Sequence, residues 1–379
     1  MIKTIGIVGG GQLGRMMMPS IKELGLEVAV LDPDADAPCK NADHHVIADF
    51  NDPEGYDALA RLSDVITYEF EHINVDLLRK LEREGHRIFP SVESLAVIQD
   101  KYTQKQALQQ SGIAVPPFFA IRDLKDLVEY WHSTQQPFML KSRRGGYDGK
   151  GNYVVRDATD VMPAFEALSR DAINGNDLMV EPMICFEKEV SVIATRGQDG
   201  NIAIYPIAEN VHKNSILDTT TVHAAISQKT TEQAIDTAKR VMECFQGIGT
   251  FCTELFVVNE DVLVNEVAPR VHNSGHYTIE ACRTSQFANH VRAVAGLPLG
   301  SPEMLVECVV MKNIIGGARQ NGQVRYTGIE DALRHKNVNV HIYGKANVKE
   351  GRKMGHITIT GQTEEVRDTL SKINVETST

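Results

Sequence analysis

The opening of the chain constrains the fold more than any later stretch. Residues 2–8 (IKTIGIV) form a β-rich run that breaks into Gly9-Gly10-Gly11, after which residues 12–24 repeat at helical spacing until Gly25 stops them. A second run, residues 27–31, ends at Asp32-Pro33. A strand, a glycine turn, a helix and a returning strand in so few residues predict a doubly wound α/β domain. Short strands at 46–48, 65–68 and 88–89 extend it, and the domain is expected to occupy residues 1–98.

Beyond it the pattern changes. Residues 100–112 (DKYTQKQALQQSG) read as a helix, and Pro116-Pro117 then force extended chain because proline fixes φ and supplies no donor. Strands are expected at 138–141, 153–155, 178–181, 189–195, 202–205, 251–258 and 262–266, with helices at 160–169 and 231–244. Turns at Asp199-Gly200 and Asn259-Glu260-Asp261 join neighbouring strands as hairpins, so residues 99–297 read as α+β. A smaller β-rich segment, 298–379, carries strands at 307–313, 341–343 and 356–360 and a closing helix at 364–372. Neither an internal repeat nor a low-complexity tract is visible.

Charge narrows the partners. With 39 Lys+Arg against 50 Asp+Glu the net charge is −11, which removes the general attraction to nucleic acid or anionic lipid that a basic surface supplies. Small molecules are the expected partners, and any anionic one must be held by local groups. No stretch approaches the ~18 apolar residues of a membrane span, and the N-terminus lacks a signal-peptide pattern, so a cytoplasmic protein is expected. The six cysteines show no C-x-x-C pair and are expected as reduced thiols, without disulfides or structural zinc.

Three segments carry chemistry. Gly9-Gly10-Gly11-Gln12-Leu13-Gly14 satisfies G-x-G-x-x-G between a strand and a helix, with Asp32 about 20 residues on; it reads either as a dinucleotide site or as a tight turn whose backbone approaches a neighbour. Lys141 ends a strand, and the eleven residues after it hold four glycines and three basic residues. Such a loop exposes successive N–H groups to a polyphosphate while Lys141, Arg143, Arg144 and Lys150 add charge, although a solvated hairpin tip is the commoner fate. Glu254 and Glu266 lie on two mostly apolar strands joined by a short turn; either alone reads by default as a solvent-facing glutamate on a hairpin, but the polar run 268–276 that continues the second strand argues for a pair that serves a cation. Magnesium takes one or two protein carboxylates and completes its octahedron with water and phosphate oxygens, and Asn265 offers one more oxygen.

Together, a lysine ending a strand, the loop GGYDGKGN, the strand end Glu181-Pro182-Met183-Ile184 and the carboxylate pair resemble the ATP-grasp superfamily. The strings GGGQLGRMM (9–17), GGYDGKGN (145–152), NEVAPRVHNSGH (265–276) and GRKMGH (351–356) resemble the 5-(carboxyamino)imidazole ribonucleotide synthase family within it, over nearly the whole chain. The resemblance implies an N-terminal preATP-grasp domain, a two-lobed ATP-grasp domain and a small C-terminal domain.

It also implies roles. Lys101 and Lys141 would contact ATP, the loop Gly146, Tyr147, Asp148, Gly149, Lys150, Gly151 and Asn152 would close over its phosphates, and Glu181, Pro182, Met183 and Ile184 would line the adenine. Glu189 would take the ribose hydroxyls, His212 would sit beside the nucleotide, and Asn265 would stand with Glu266 at the phosphates. Glu254 and Glu266 would hold Mg2+. The second substrate, aminoimidazole ribonucleotide, would meet Lys345, Arg352 and Lys353 at its phosphate, Gln12 and Glu69 at its ribose and ring, and Tyr147 and Asp148 of the loop. Arg270, His272, Asn273 and Ser274, with Lys353, would handle bicarbonate and carboxyphosphate, Arg270 by charge and His272 by moving protons. The family further implies a homodimer and possible hand-off of a labile carbamate to a separate mutase. The competing expectations are a formate-dependent glycinamide ribonucleotide transformylase, an NAD-dependent dehydrogenase, and a nucleotide-binding regulator without turnover.

Overall fold

The structure, a computed structural model, describes residues 2–146, 151–169, 177–317 and 320–379. Its first 98 residues build a four-stranded parallel sheet in the order His44–Val46, Glu27–Leu31, Thr4–Val8, Val65–Tyr68. Both faces are covered. Tyr56 and Leu59 of helix Pro53–Leu62 pack on Val8, Ala29 and Leu31, while Leu13, Met17 and Ile21 of helix Gln12–Glu23 pack on Ile5, Ile7 and Val28. This is why the strands read as continuous apolar runs without alternation. The expected strand at 88–89 reduces to a single parallel bridge, Ile66 to Ile88.

The central region holds two antiparallel sheets, as the hairpin turns require. The smaller runs Phe119–Ile121, Leu178–Pro182, Phe138–Ser142, Asn152–Val155. The larger begins Asp261–Ala268, Gly249–Val258, Lys188–Arg196, Ala208–Lys213, Ile216–Val222, with Ile202–Ile204 beside Lys188–Arg196. Asn259 and Glu260 both adopt positive φ, the geometry of a two-residue hairpin turn. Helix Gln228–Phe245 lays Ala234, Ala238, Val241, Met242 and Phe245 on Val190, Val192, Phe251 and Leu255. Each large side chain so buried contributes about 1.5–3 kcal/mol before entropy is counted.

Two joints place these parts around one cleft. Helix Gln286–Ala295 sends Phe287, Val291 and Val294, together with Val271, into the same core as Ile5, Ile7 and Met17, so the segment after Glu266 is pressed against the N-terminal sheet. The longer C-terminal strands do not form a separate sheet, although Asn321–Gln323 pairs with Asn347–Lys349, and Arg325–Thr327 with Glu376–Ser378, in two small ribbons of their own. Cys308–Ile315 pairs with Ile216–Val222 and then with Lys353–Gly361, which pairs with Val338–Ile342, and the large sheet reaches nine strands.

Candidate active site

A cavity of about 1150 Å³ opens where the strand ends of the N-terminal sheet, both central sheets and the start of strand Lys353–Gly361 converge. Helix Lys101–Gln110 forms one wall. Asp100 caps it, accepting from the N–H groups of Tyr102 and Thr103, and Lys101, Gln104 and Lys105 then fall on one face at i, i+3, i+4. Lys101 pairs with Glu266, and Lys105 Nζ lies 3.1 Å from Glu181, whose other oxygen accepts from Lys141 at 2.8 Å. Burial opposes charge on Glu181, but Lys141 and Lys105 outweigh it and hold its carboxyl below the usual range. Burial drives Lys105 down to about 8 despite Glu181. Two lysines therefore meet one carboxylate, leaving positive charge at the cavity wall.

The carboxylate pair faces across its hairpin: Glu254 is the register partner of Glu266, with a bulge immediately after it. Burial and the neighbouring Glu266 push the Glu254 carboxyl up to about 7. Two acids held this close repel, and a divalent cation between them would remove both penalties. His272 Nε2 stands 3.3 Å from Glu254, and Cys252, Glu254 and His272 bring ligand atoms within 4.8 Å of one another. The hard oxygens suit magnesium; the thiol, whose pKa is raised far by burial, does not.

Arg270 forms a two-pronged ion pair with Glu71, one prong at 3.0 Å, and both side chains are mostly buried. Burial resists the Glu71 charge, but Arg270 wins and lowers its carboxyl to about 2. Burial, and then Arg270, hold His272 well below its ordinary value, so its imidazole is neutral near pH 7. Asn273 lines the cavity yet exchanges two amide hydrogen bonds with Asn313, at 2.8 and 3.0 Å. Ser274 is fully buried and does not line the cavity; its hydroxyl lies 2.9 Å from His272 Nδ1, which differs from the direct ligand contact expected of it.

The glycine turn resolves between its two readings. Glu69 accepts from the N–H groups of Gly11, Leu13 and Gly14 at 2.9–3.2 Å, and Asp32 accepts from Gly10 at 2.7 Å. The helix N-terminus that would bind a pyrophosphate is thus filled by a carboxylate of the same chain, contrary to an NAD site. A Cβ on Gly11 would stand 2.3 Å from Glu69 Oε1, so glycine is needed for this close approach. Gln12 and Glu69 both line the cavity, Glu69 with its oxygens already engaged.

The remaining expected residues divide. Gly146, Asn152, Glu181, Pro182, Met183, Ile184, Glu189, His212, Asn265, Lys345, Arg352 and Lys353 line the cavity, whereas Gly151 does not. Tyr147, Asp148, Gly149 and Lys150 lie outside the described residues. His212 Nδ1 and Glu189 are 2.6 Å apart; burial would lower the His212 pKa, but Glu189 outweighs it and raises it. Lys345 donates to the Lys353 carbonyl at 2.8 Å, and Arg15 donates to the Tyr343 carbonyl at 3.0 Å, tying this corner to the N-terminal helix. Sequence reading missed Lys105, Gln104, Glu71 and the stacked pair Phe186–Phe256, whose ring centroids are 4.6 Å apart at the cavity wall. Glu71, two residues past Glu69 in TYEFEHI, had a signal in that repeated acid. Phe186 had none.

Family models match three consecutive stretches: a ribonucleotide synthetase preATP-grasp domain at 2–99, an ATP-grasp domain at 106–287, and a phosphoribosylaminoimidazole carboxylase C-terminal domain at 309–369. The chain is 42% identical over 359 residues to the N5-carboxyaminoimidazole ribonucleotide synthase of Brucella melitensis, covering 94% of this chain and 95% of that one. Among solved structures, the ADP complex of the Staphylococcus aureus N5-carboxyaminoimidazole synthetase matches at TM-score 0.87 and 38% identity, over 97% of this chain and 95% of that one. The Aspergillus clavatus N5-carboxyaminoimidazole synthase, in complex with ADP and 5-aminoimidazole ribonucleotide, matches at TM-score 0.86 and 34% identity, over 98% and 99%.

Proposed function

The chain belongs to the N5-carboxyaminoimidazole ribonucleotide synthase family, and on that premise we propose that it couples ATP cleavage to carboxylation of 5-aminoimidazole ribonucleotide by bicarbonate, a step of purine biosynthesis. The observation that carries this reading is that one cavity is lined by Lys101, Lys141 and the Glu254–Glu266 pair together with Arg270, His272 and Lys353, with His272 Nε2 3.3 Å from Glu254. A triphosphate and a second, small anionic reactant then share one enclosure.

In this reading Lys101 and Lys141 neutralise phosphate oxygens as negative charge shifts during transfer of the γ-phosphoryl group to bicarbonate, giving carboxyphosphate and ADP. Glu254 and Glu266, with Asn265 beside them, would hold Mg2+, which supplies charge neutralisation between the phosphates when bound. Arg270, kept rigid by Glu71, offers its guanidinium edge to bicarbonate and carboxyphosphate. His272 meets them as a neutral imidazole. Carboxyphosphate breaks to phosphate and carbon dioxide, and the exocyclic amine captures the carbon dioxide as a carbamate, losing a proton. Lys345, Arg352 and Lys353 hold the ribonucleotide phosphate, and Gln12 its ribose, while Phe186 and Phe256 offer an apolar face to the adenine beside Glu181–Ile184.

The reading extends to a cytoplasmic homodimer that passes its carbamate to a separate mutase. All six cysteines are free thiols, and among the described residues no helix is long and apolar enough to cross a membrane. A coupled assay of ADP release tests the core of the proposal. Release should require both aminoimidazole ribonucleotide and bicarbonate; dependence on formate and glycinamide ribonucleotide instead would overturn it.

A further inference from the structure

Behind His272 runs a file of buried polar side chains, of which Asn210 also borders the cavity. Thr220 on strand Ile216–Val222 lies 2.9 Å from Asn210 Oδ1 on strand Ala208–Lys213, and Asn210 Nδ2 lies 2.9 Å from the hydroxyl of Ser191 on strand Lys188–Arg196. Ser191 Oγ is 2.8 Å from Ser274 Oγ, which is 2.9 Å from His272 Nδ1. Ser191, Thr220 and Ser274 are wholly buried and Asn210 nearly so. Three adjacent strands therefore each contribute one polar residue to a path that ends on the imidazole.

The direction of these bonds follows from one donor that has no choice. The backbone N–H of Ser274 points at His272 Nδ1 from 3.3 Å, because His272 caps the short turn Asn273–Gly275. A backbone amide only donates, so Nδ1 must be the bare, accepting nitrogen. The Ser274 hydroxyl is then free to donate to Nδ1, which commits its oxygen to accept from Ser191. Ser191, its proton spent, must accept from the Asn210 amide nitrogen, and the Asn210 carbonyl accepts from Thr220. Cys252 Sγ, 3.7 Å from Ser274 Oγ, fits as a weak further donor to that oxygen. With Nδ1 bare in the neutral ring, the proton sits on Nε2, which faces Glu254 at 3.3 Å.

We propose that Ser191 and Asn210 are positioning residues for His272: acting through the Ser274 hydroxyl they add a second donor at Nδ1 beside the Ser274 N–H and hold the Nε2–H ring with its N–H directed at Glu254 and the cavity. The inference deepens the reaction assigned above and rests on it for its kinetic consequence, but the tautomer itself does not depend on that assignment. The same file explains why Ser274 follows His272 at a spacing of two yet never reaches the cavity: its hydroxyl orients the ring.

Nitrogen-15 NMR of the imidazole in the full-length protein, with the His272 resonance assigned by its loss in His272→Gln, decides the structural claim. Wild type should show a bare Nδ1 and a protonated Nε2; a protonated Nδ1, or equal populations, would overturn the proposal whatever the protein catalyses. Ser191→Ala and the near-isosteric Asn210→Asp, which cannot donate to Ser191, leave the Ser274 N–H in place and should keep Nε2 protonated, while each shifts the Nδ1 resonance as the Ser274 hydroxyl stops donating to it. In the ADP-release assay each should lower kcat about three- to tenfold, the scale of one lost hydrogen bond, with the KM for ATP within about twofold. A folded variant that keeps both the wild-type Nδ1 resonance and the wild-type kcat would equally sink the idea. Wild type without bicarbonate-dependent turnover would count against the assigned reaction alone, leaving the tautomer measurement to judge the file.

Discussion

Glu71 shows how a single residue can serve stability and chemistry together. Its carboxyl is lowered from 4.5 to about 2 although burial works against it, because Arg270 grips it through two nitrogens. A group whose pKa is depressed on folding stabilises the native state fully above its unfolded value and loses that contribution as pH falls through the folded one. Here the window runs from near pH 5 down to pH 2 and corresponds to roughly 3 kcal/mol. Glu71→Gln should lower Tm at pH 7 and flatten its decline across that window in thermal melts. It should also reduce turnover, since Arg270 loses its anchor. Glu254 and Glu266 belong to the same scale: Glu254→Gln or Glu266→Gln removes one of two facing carboxylates and relieves their repulsion. Glu254→Gln should leave Tm equal or higher, whereas Glu266→Gln also strips Lys101 of its partner and should lower Tm; in both, magnesium-dependent ADP release should fall roughly a hundredfold or more. Retained turnover with an unchanged magnesium requirement would move the metal elsewhere.

At the scale of elements, the site is set by a helix lying across a strand end. Gln104 on helix Lys101–Gln110 accepts from the Val267 N–H at 2.9 Å and donates to the Val267 carbonyl at 3.0 Å, acting as one more strand for Asp261–Ala268. Through it, Lys101 is held in register with Glu266. Gln104→Leu keeps the volume but strands two buried backbone groups, at a cost of about 2–4 kcal/mol. A lower urea midpoint with an unchanged slope would register that loss, accompanied by a raised KM for ATP as Lys101 drifts from Glu266. The helix itself was legible, since Asp100 supplies a cap and the run to Gln110 lacks breakers. Its docking was not. Gln104 looks in sequence like any polar residue on a helix rich in glutamine, and only burial against Val267 distinguishes it.

For the molecule as a whole, the C-terminal segment is expected to be inseparable from the centre. Strand Cys308–Ile315 completes the hydrogen bonding of strand Ile216–Val222, and Met311 joins a core with Ile193 and Cys252. Ending the chain at 297 would uncover a long edge strand, a template for pairing between molecules, and should yield insoluble protein. A soluble, monodisperse truncation by gel filtration would refute that. The charge pattern is also a property of the whole: a chain of net charge −11 gathers Lys101, Lys141, Arg270, Lys345 and Lys353 from distant segments around one cavity.

The sequence by itself determined the local elements and much of the chemistry. The glycine turn, the facing glutamates and the run after Glu266 are each short strings, and their residue types in that order narrow the chemistry to a few readings. It could not decide between a dinucleotide and a self-made plug at the glycine turn, because the deciding group, Glu69, is 55 residues or more away in the chain. Nor could it show that Ser274 faces inward while Arg270 and His272 face the cavity, or that Glu71 and Lys105 complete the site. Those outcomes depend on which side chains the fold buries side by side. Burial converts ordinary carboxylates and imidazoles into groups whose charge and proton position are set by their neighbours.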